Sequence, residues 1–246
     1  MKKLLFVLLV FININNLIAQ EEEDVGWVAR FGAAGGISPT FIFPNLDALN
    51  NEVTNFGLPK LSNNMFLFGG GGYVYLMFIE NLRIGGIGFG GSQSTDGKLI
   101  IAGSNVQREV SYDFGFGGLT LEYTLPFING VAVSLGGIIG GGSQVISIYE
   151  NKGIYSWDNS WPRSGNSFNA GVSSELKNNF FSISPTVNLD LPLSRFAAVR
   201  VGAGYFLNFS NEWKINNDQN IIGVPKDLTS NHFFIQTGIY FGFIAF

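Results

Sequence analysis

A hydroxyl beside an imidazole is the raw material of nucleophilic catalysis, and this chain offers one such pair, Ser230 and its single histidine, His232. The pair sits where a polar loop meets the last extended segment. A lone His in that setting more often rests at an interface than reacts, so no catalytic residue is assigned and an enzyme is not expected. One histidine and no cysteine leave no metal-ligand cluster. Gly86-Ile87-Gly88-Phe89-Gly90-Gly91 superficially matches a nucleotide fingerprint, but no helix pattern follows and no βαβ unit surrounds it, so no cofactor is expected. The remaining chemistry is charge. Arg30, Arg83, Glu122, Asp190 and Arg200 all fall on the less greasy phase of alternating segments, near chain reversals or the start of the first segment. Charges cannot face hydrocarbon cheaply, so they are expected to pair in an enclosed network, Arg200 with Asp190 or Glu122. A structural role leads; a selectivity or proton path is the alternative.

Composition says what must enclose them. Of 246 residues, 46% are hydrophobic and only 13% charged, where a soluble domain carries about 25% charged; mean hydropathy is +0.24. Part of the surface must face an apolar solvent. Beyond the N-terminus, however, no run approaches the ~18 apolar residues of a membrane helix. A lipid-facing chain without such helices must close a β-barrel, because only closure pairs every backbone N–H and C=O. Without Lys2 and Lys3 the balance is 12 basic against 18 acidic residues, a formal charge of −6, the wrong sign for binding nucleic acid.

Residues 1–19 read as a secretory signal: Lys2 and Lys3, the apolar Leu4 to Ile12, then Leu17-Ile18-Ala19 before Gln20. Residues 20–246 then form one barrel domain, opening on the acidic run Glu21 to Asp24. Period-two alternation predicts strands over 25–38, 65–79, 82–94, 109–125, 131–149, 179–191, 197–215 and 232–246. Turns are expected at Glu80-Asn81, Pro126 to Gly130 and Pro192 to Phe196, and loops over 95–107, 150–178 and 216–231. The apolar phase slips at Gly85-Gly86 and at Gly117-Gly118, as bulges would make it. Trp213 is read as outward, on the phase of Val199 and Val201. In the first long loop, Leu46, Leu49, Val53 and Phe56 recur at helical spacing between Asn45 or Asp47 and Gly57-Leu58-Pro59. That predicts one short amphipathic helix, either packed over the barrel mouth or inserted as a plug or gate. Many glycines on the inner phase imply space inside for that helix, a lipid tail or water.

The closing stretch, His232 to Phe246, sets Phe233, Ile235, Thr237, Ile239, Phe241 and Phe243 against Gln236, Gly238, Tyr240 and Gly242, and it ends on Phe246. Here the chain resembles the small OmpA-like and OmpX-like outer-membrane β-barrels, whose last strand typically ends in Phe. The resemblance implies an all-β, closed antiparallel transmembrane barrel of about eight strands, with the helix in its first long loop. It also implies residence in the outer membrane of a double-membraned bacterium, both termini in the periplasm. Expected partners are outer-membrane lipids and the barrel-assembly machinery, met through the C-terminal strand, and the protein is expected to be a monomer. The leading function is a non-enzymatic envelope or surface protein with a narrow or plugged lumen. Alternatives are a small transporter or channel for an apolar or amphipathic molecule gated by the 45–58 helix, an outer-leaflet lipid-modifying enzyme using His232, and a soluble lipocalin-like barrel. Trp157 and Trp161, in the longest loop, suit either sugar contact or the membrane interface.

Overall fold

The alternating segments pair into one antiparallel sheet that closes on itself in a computed structural model describing residues 31–101, 103–126, 131–152, 172–210, 212–229 and 231–245. In chain order the elements are β1 (Phe31–Ile37), β2 (Thr40–Ile42), α1 (Asp47–Asn55), β3 (Met65–Tyr75), β4 (Leu82–Ile101), β5 (Ser104–Thr124) and β6 (Ala132–Lys152). There follow β7 (Val172–Ser194), β8 (Ala197–Ser210), the short β9 (Lys214–Ile215) and β10 (Gln219–Asn220), a 3-10 turn (Lys226–Thr229) and β11 (His232–Ala245). Among the described residues no helix is long and apolar enough to cross a membrane.

β1 and β2 are one stave of the barrel. Both pair with β3 on one side and β11 on the other without change of register, from Phe31↔Ala245 to Ile42↔Phe234 and from Ala33↔Val74 to Ile42↔Met65. The break between them is chemical: Pro39 has no N–H to offer the ladder, though its carbonyl still accepts the Thr237 N–H at 2.8 Å. This stave extends past Pro39, where the sequence pattern had it stop. With β1–β2 as one member, the ring has eight strands.

The side chains are arranged opposite to those of a soluble protein. Along β7, Phe181, Ile183, Val187, Leu189 and Leu191 are exposed, while Ser182, Ser184, Thr186, Asn188 and Asp190 are buried. β11 repeats this, with Phe233, Ile235, Ile239, Phe241 and Phe243 outside and Phe234, Gln236 and Tyr240 inside. Such an exterior is stable only against hydrocarbon, and the architecture is that of a transmembrane β-barrel. The eleven residues from Phe233 to Phe243 rise about 25 Å at a barrel's usual tilt, the height of a lipid-facing band. Lysine in place of Ile239, outward at the middle of this band, should cost about 2–4 kcal/mol. Asp96→Lys, on the exposed outer extension of β4, should change stability by less than ~0.5 kcal/mol. Urea unfolding in vesicles measures both, and equal costs would contradict a lipid-facing band.

β4 to β7 continue beyond this band as a wall. Their outward residues turn polar, with Ser92, Ser94, Asp96 and Lys98 on β4 and Gln107 and Glu109 on β5. The loop expected over 95–107 is therefore a ladder running from Thr95↔Val110 to Ile101↔Ser104. The alternation continued there on polar residues, where an apolar-phase reading is blind. For the same reason β6 and β7 reach into the loop expected over 150–178; Trp157 and Trp161 lie outside the described residues. At the other end, β3 stops at Tyr75, and the turn spans Leu76 to Asn81, with Asn81 at a φ of 63°. Trp213 is buried rather than outward.

Both expected bulges are absent. β4 pairs with β3 and with β5, and β5 with β6, in unbroken register through Gly85-Gly86 and Gly117-Gly118. Ile87, Phe89, Phe114 and Phe116 point inward, and it is the chemistry of the interior that changes, from polar to aromatic. The inward glycines belong to this packing. A Cβ on Gly142 would overlap the Gly115 carbonyl and the Phe180 ring, so close backbone approach and ring burial both require glycine there.

Candidate functional site

Four of the five charges expected to pair do so, inside the barrel near its turn end. Arg83 enters from β4, Glu122 from β5, Asp190 from β7 and Arg200 from β8, each at an inward position of its strand. Arg83 Nε donates to Glu122 Oε2 and Arg83 Nη1 to Asp190 Oδ2, both at 2.5 Å. Arg200 clasps Asp190 with Nε at 2.6 Å and Nη2 at 3.0 Å, and reaches Glu122 Oε1 with Nη1 at 3.3 Å. All four are buried. Two guanidiniums and two carboxylates thus form a neutral cycle, each arginine touching both acids. The cycle has a polar second rank: Asn188 Nδ2 donates to Glu122 at 3.1 Å, and Gln236 Nε2 donates to Asn188 at 2.8 Å. Tyrosine faces cover the cations. The Arg83 guanidinium lies 4.6 Å from the Tyr73 ring centre, and that of Arg200 lies 5.0 Å from Tyr73 and 4.9 Å from Tyr240. The fifth charge, Arg30, lies outside the described residues.

Beyond this layer the lumen turns aromatic. Phe206 is fully buried, its ring centre 5.0 Å from Phe116, 5.9 Å from Phe114, 6.2 Å from Phe89 and 4.6 Å from Phe234. Phe180 stacks on Phe114 at 5.5 Å, and Ile138 and Ile146 complete the cluster. The inner glycines therefore do not leave an emptier lumen; they make room for rings. His232 faces into this layer, against Phe206 at 5.0 Å and Phe114 at 5.5 Å. Ser230 lies outside the described residues. Among the described residues, no group of His, Asp and Glu could hold a metal ion.

The outer mouth is roofed. α1 spans Asp47–Asn55, shorter at both ends than the 45–58 pattern, and it buries Leu49 and Val53, with Leu46 just ahead of it also buried. These apolar side chains join the same cluster as the lumen phenylalanines, together with Leu58, Leu61 and Trp213. Asn45, two residues ahead of the helix, accepts the Asp47 N–H at 3.1 Å. Two contacts that the sequence pattern did not reveal fix the roof. Asn50, buried on the helix, accepts the Leu61 N–H at 2.7 Å and donates to the Leu61 carbonyl at 3.0 Å. Arg108, on the β5 wall, donates to the Phe56 carbonyl at 2.6 Å, lies 4.2 Å over the Phe56 ring, and pairs with Glu150 on β6 at 2.8 Å. A cation at a helix C-terminus also suits the helix dipole.

Hydrogen bonds from Arg108 and Lys152 hold the Glu150 carboxyl below its ordinary value of 4.5. A carboxylate lowered in the folded state adds stability above its unfolded value, and that contribution disappears as pH falls through the folded one. Cleavage of the 43–64 loop by an acid-active protease should therefore accelerate below pH 4.5. Glu150→Gln should show the faster cleavage already at neutral pH with a neutral protease. Identical profiles for variant and wild type would remove the clamp from the account.

No family model matches the chain, and no curated protein does. Among solved structures, it is similar to the attachment invasion locus protein Ail of Yersinia pestis in complex with the heparin analogue sucrose octasulfate. That pair shares 12% identity over 87% of this chain and 97% of the other, with a TM-score of 0.38. A major outer membrane protein from Thermus thermophilus gives 10% identity over 86% and 99%, with a TM-score of 0.45. The outer membrane protease OmpT of Escherichia coli gives 12% identity over 91% and 100%, with a TM-score of 0.28.

Proposed function

We propose that this chain is a non-enzymatic envelope protein of the outer membrane of a double-membraned bacterium, its barrel closed to solute flow. One observation carries this reading: the lumen is filled in sequence by a neutral ion-pair layer, an aromatic layer and a helical roof. An eight-stranded barrel has an interior that side chains can fill, and here the ionic layer draws on β4, β5, β7 and β8 and the aromatic layer on β4, β5, β7, β8 and β11. Because the turns lie at the ionic end and the wall of β4 to β7 at the roofed end, the termini are assigned to the periplasm and the wall to the cell exterior. The lipids of that membrane are its solvent, and the closing strand β11 is the segment the barrel-assembly machinery would engage. The seam is satisfied within one chain, which supports a monomer.

The test is conductance in a planar bilayer. The wild type should give no discrete steps above background, while a stable porin-like current would overturn a sealed lumen. A second reading, transport of an apolar or amphipathic molecule gated by the helix, draws support from the continuity of the α1 underside with the lumen phenylalanines. It requires uptake of an apolar dye into proteoliposomes that changes when Arg108→Ala releases the roof. The lipid-modifying enzyme is disfavoured because His232 is packed between two phenyl rings; His232→Ala should leave outer-leaflet lipid composition unchanged.

A further inference from the structure

The turns at the ionic end carry side chains that an aqueous turn would not. In the β3–β4 turn, Met77 is 78% exposed and Phe78 81%, with Ile79 beside them also exposed; where β7 reverses into β8, Leu193 at the end of β7 is 60% exposed and Phe196 in the turn 63%. Nothing among the described residues covers them. They are not isolated, because the lipid-facing surface runs into them without a polar gap. On β3 and β4 it ends at Val74 and Ile84, and on β7 at Leu189 and Leu191, all exposed and apolar. The tip residues of the first turn lie two to four positions past Tyr75, about 7–13 Å of extended chain. Polar neighbours accompany them, Glu80 and Asn81 in the first turn and Ser194 and Arg195 at the second reversal. A greasy side chain beside a charged one is the composition that settles at a lipid interface, where each takes its own depth.

We infer that these two turns are embedded in the inner leaflet, so that the barrel's turn end is anchored by phospholipid rather than projecting into the periplasm. The occupant is a lipid surface, and the argument is continuity: the same apolar face that meets hydrocarbon along the staves continues over the tips. The inference rests on the outer-membrane reading above and adds where that membrane ends. It places the Arg83–Glu122–Asp190–Arg200 cycle deeper than the inner headgroups, with Arg200 opposite Gly238 across the β8–β11 pair.

The chain contains no cysteine, so single cysteines report cleanly. Phe78→Cys and Leu193→Cys carry a nitroxide in phosphatidylethanolamine–phosphatidylglycerol vesicles. Ile239→Cys serves as the mid-membrane reference and Asp96→Cys as the aqueous one. Collision with oxygen, which concentrates in lipid, is compared with collision with a water-soluble nickel chelate. Expected is an oxygen-to-nickel ratio at Phe78 and Leu193 several-fold above that at Asp96 and approaching that at Ile239. Tips as accessible to nickel as Asp96, or shielded from both reagents as by a second copy or a protein partner, would overturn the proposal while Ile239 still reads as lipid. If Ile239 itself reads as aqueous, it is the membrane reading that fails. Should one variant not fold, the other carries the test.

Discussion

Asp190→Ala should destabilise the barrel by about 3–5 kcal/mol, the usual cost of removing one partner from a buried ion pair. Asp190 answers both arginines, at 2.5 Å to Arg83 and at 2.6 and 3.0 Å to Arg200, and only Glu122 would remain for the two cations. The layer would change from neutral to singly positive in a site where all four charged groups are buried. The double variant Asp190→Ala, Arg200→Met should recover part of the loss. It leaves one arginine facing one acid, and the methionine fills the space of the guanidinium stem. Urea titration in vesicles measures each variant. A cost below ~1 kcal/mol for the single variant, or no recovery in the double, would mean that the cycle is solvated and not a sealed layer.

Phe206→Ala should cost about 3–5 kcal/mol, as large core truncations do. The ring is fully buried and touches Phe89, Phe114, Phe116, Phe234 and His232. Its partners come from several strands, so they cannot close over the gap without moving the barrel wall. Arg200→Ala, in contrast, opens the ionic layer and leaves the rings untouched. If any one layer blocks solutes, neither single variant should conduct, whereas both together with Arg108→Ala, which releases the roof, should give discrete openings. A wild-type-like melting curve for Phe206→Ala would show that the phenyl cluster is loosely packed.

What could be read from sequence depended on one assumption, that the apolar phase always faces lipid. Where the interior is polar the assumption worked: β7 alternates cleanly, and the four paired charges were identifiable because carboxylates and guanidiniums have only one tolerable side. Where the interior becomes apolar it failed. At Ile87 and Phe89 the greasy residues moved inside while Gly86, Gly88 and Gly90 took the outside, and an unbroken strand looked like a bulged one. Trp213 was misplaced for a related reason, since a mouth roofed by apolar side chains offers a second hydrophobic destination. The helix was visible from Leu46, Leu49 and Val53. Its fixings, Asn50 to Leu61 and Arg108 to Phe56, depend on partners 11 and 52 residues away, which no local period contains.

Because Phe31 meets Ala245 across the seam, the first stave synthesised must wait for the last. Until β11 is in place, two raw edges of backbone remain, each a template for pairing with any extended chain nearby. Closure of this barrel thus waits for its last stave. A version shortened at its carboxyl end should accumulate as aggregate or be degraded, with no smaller barrel available as a stopping point.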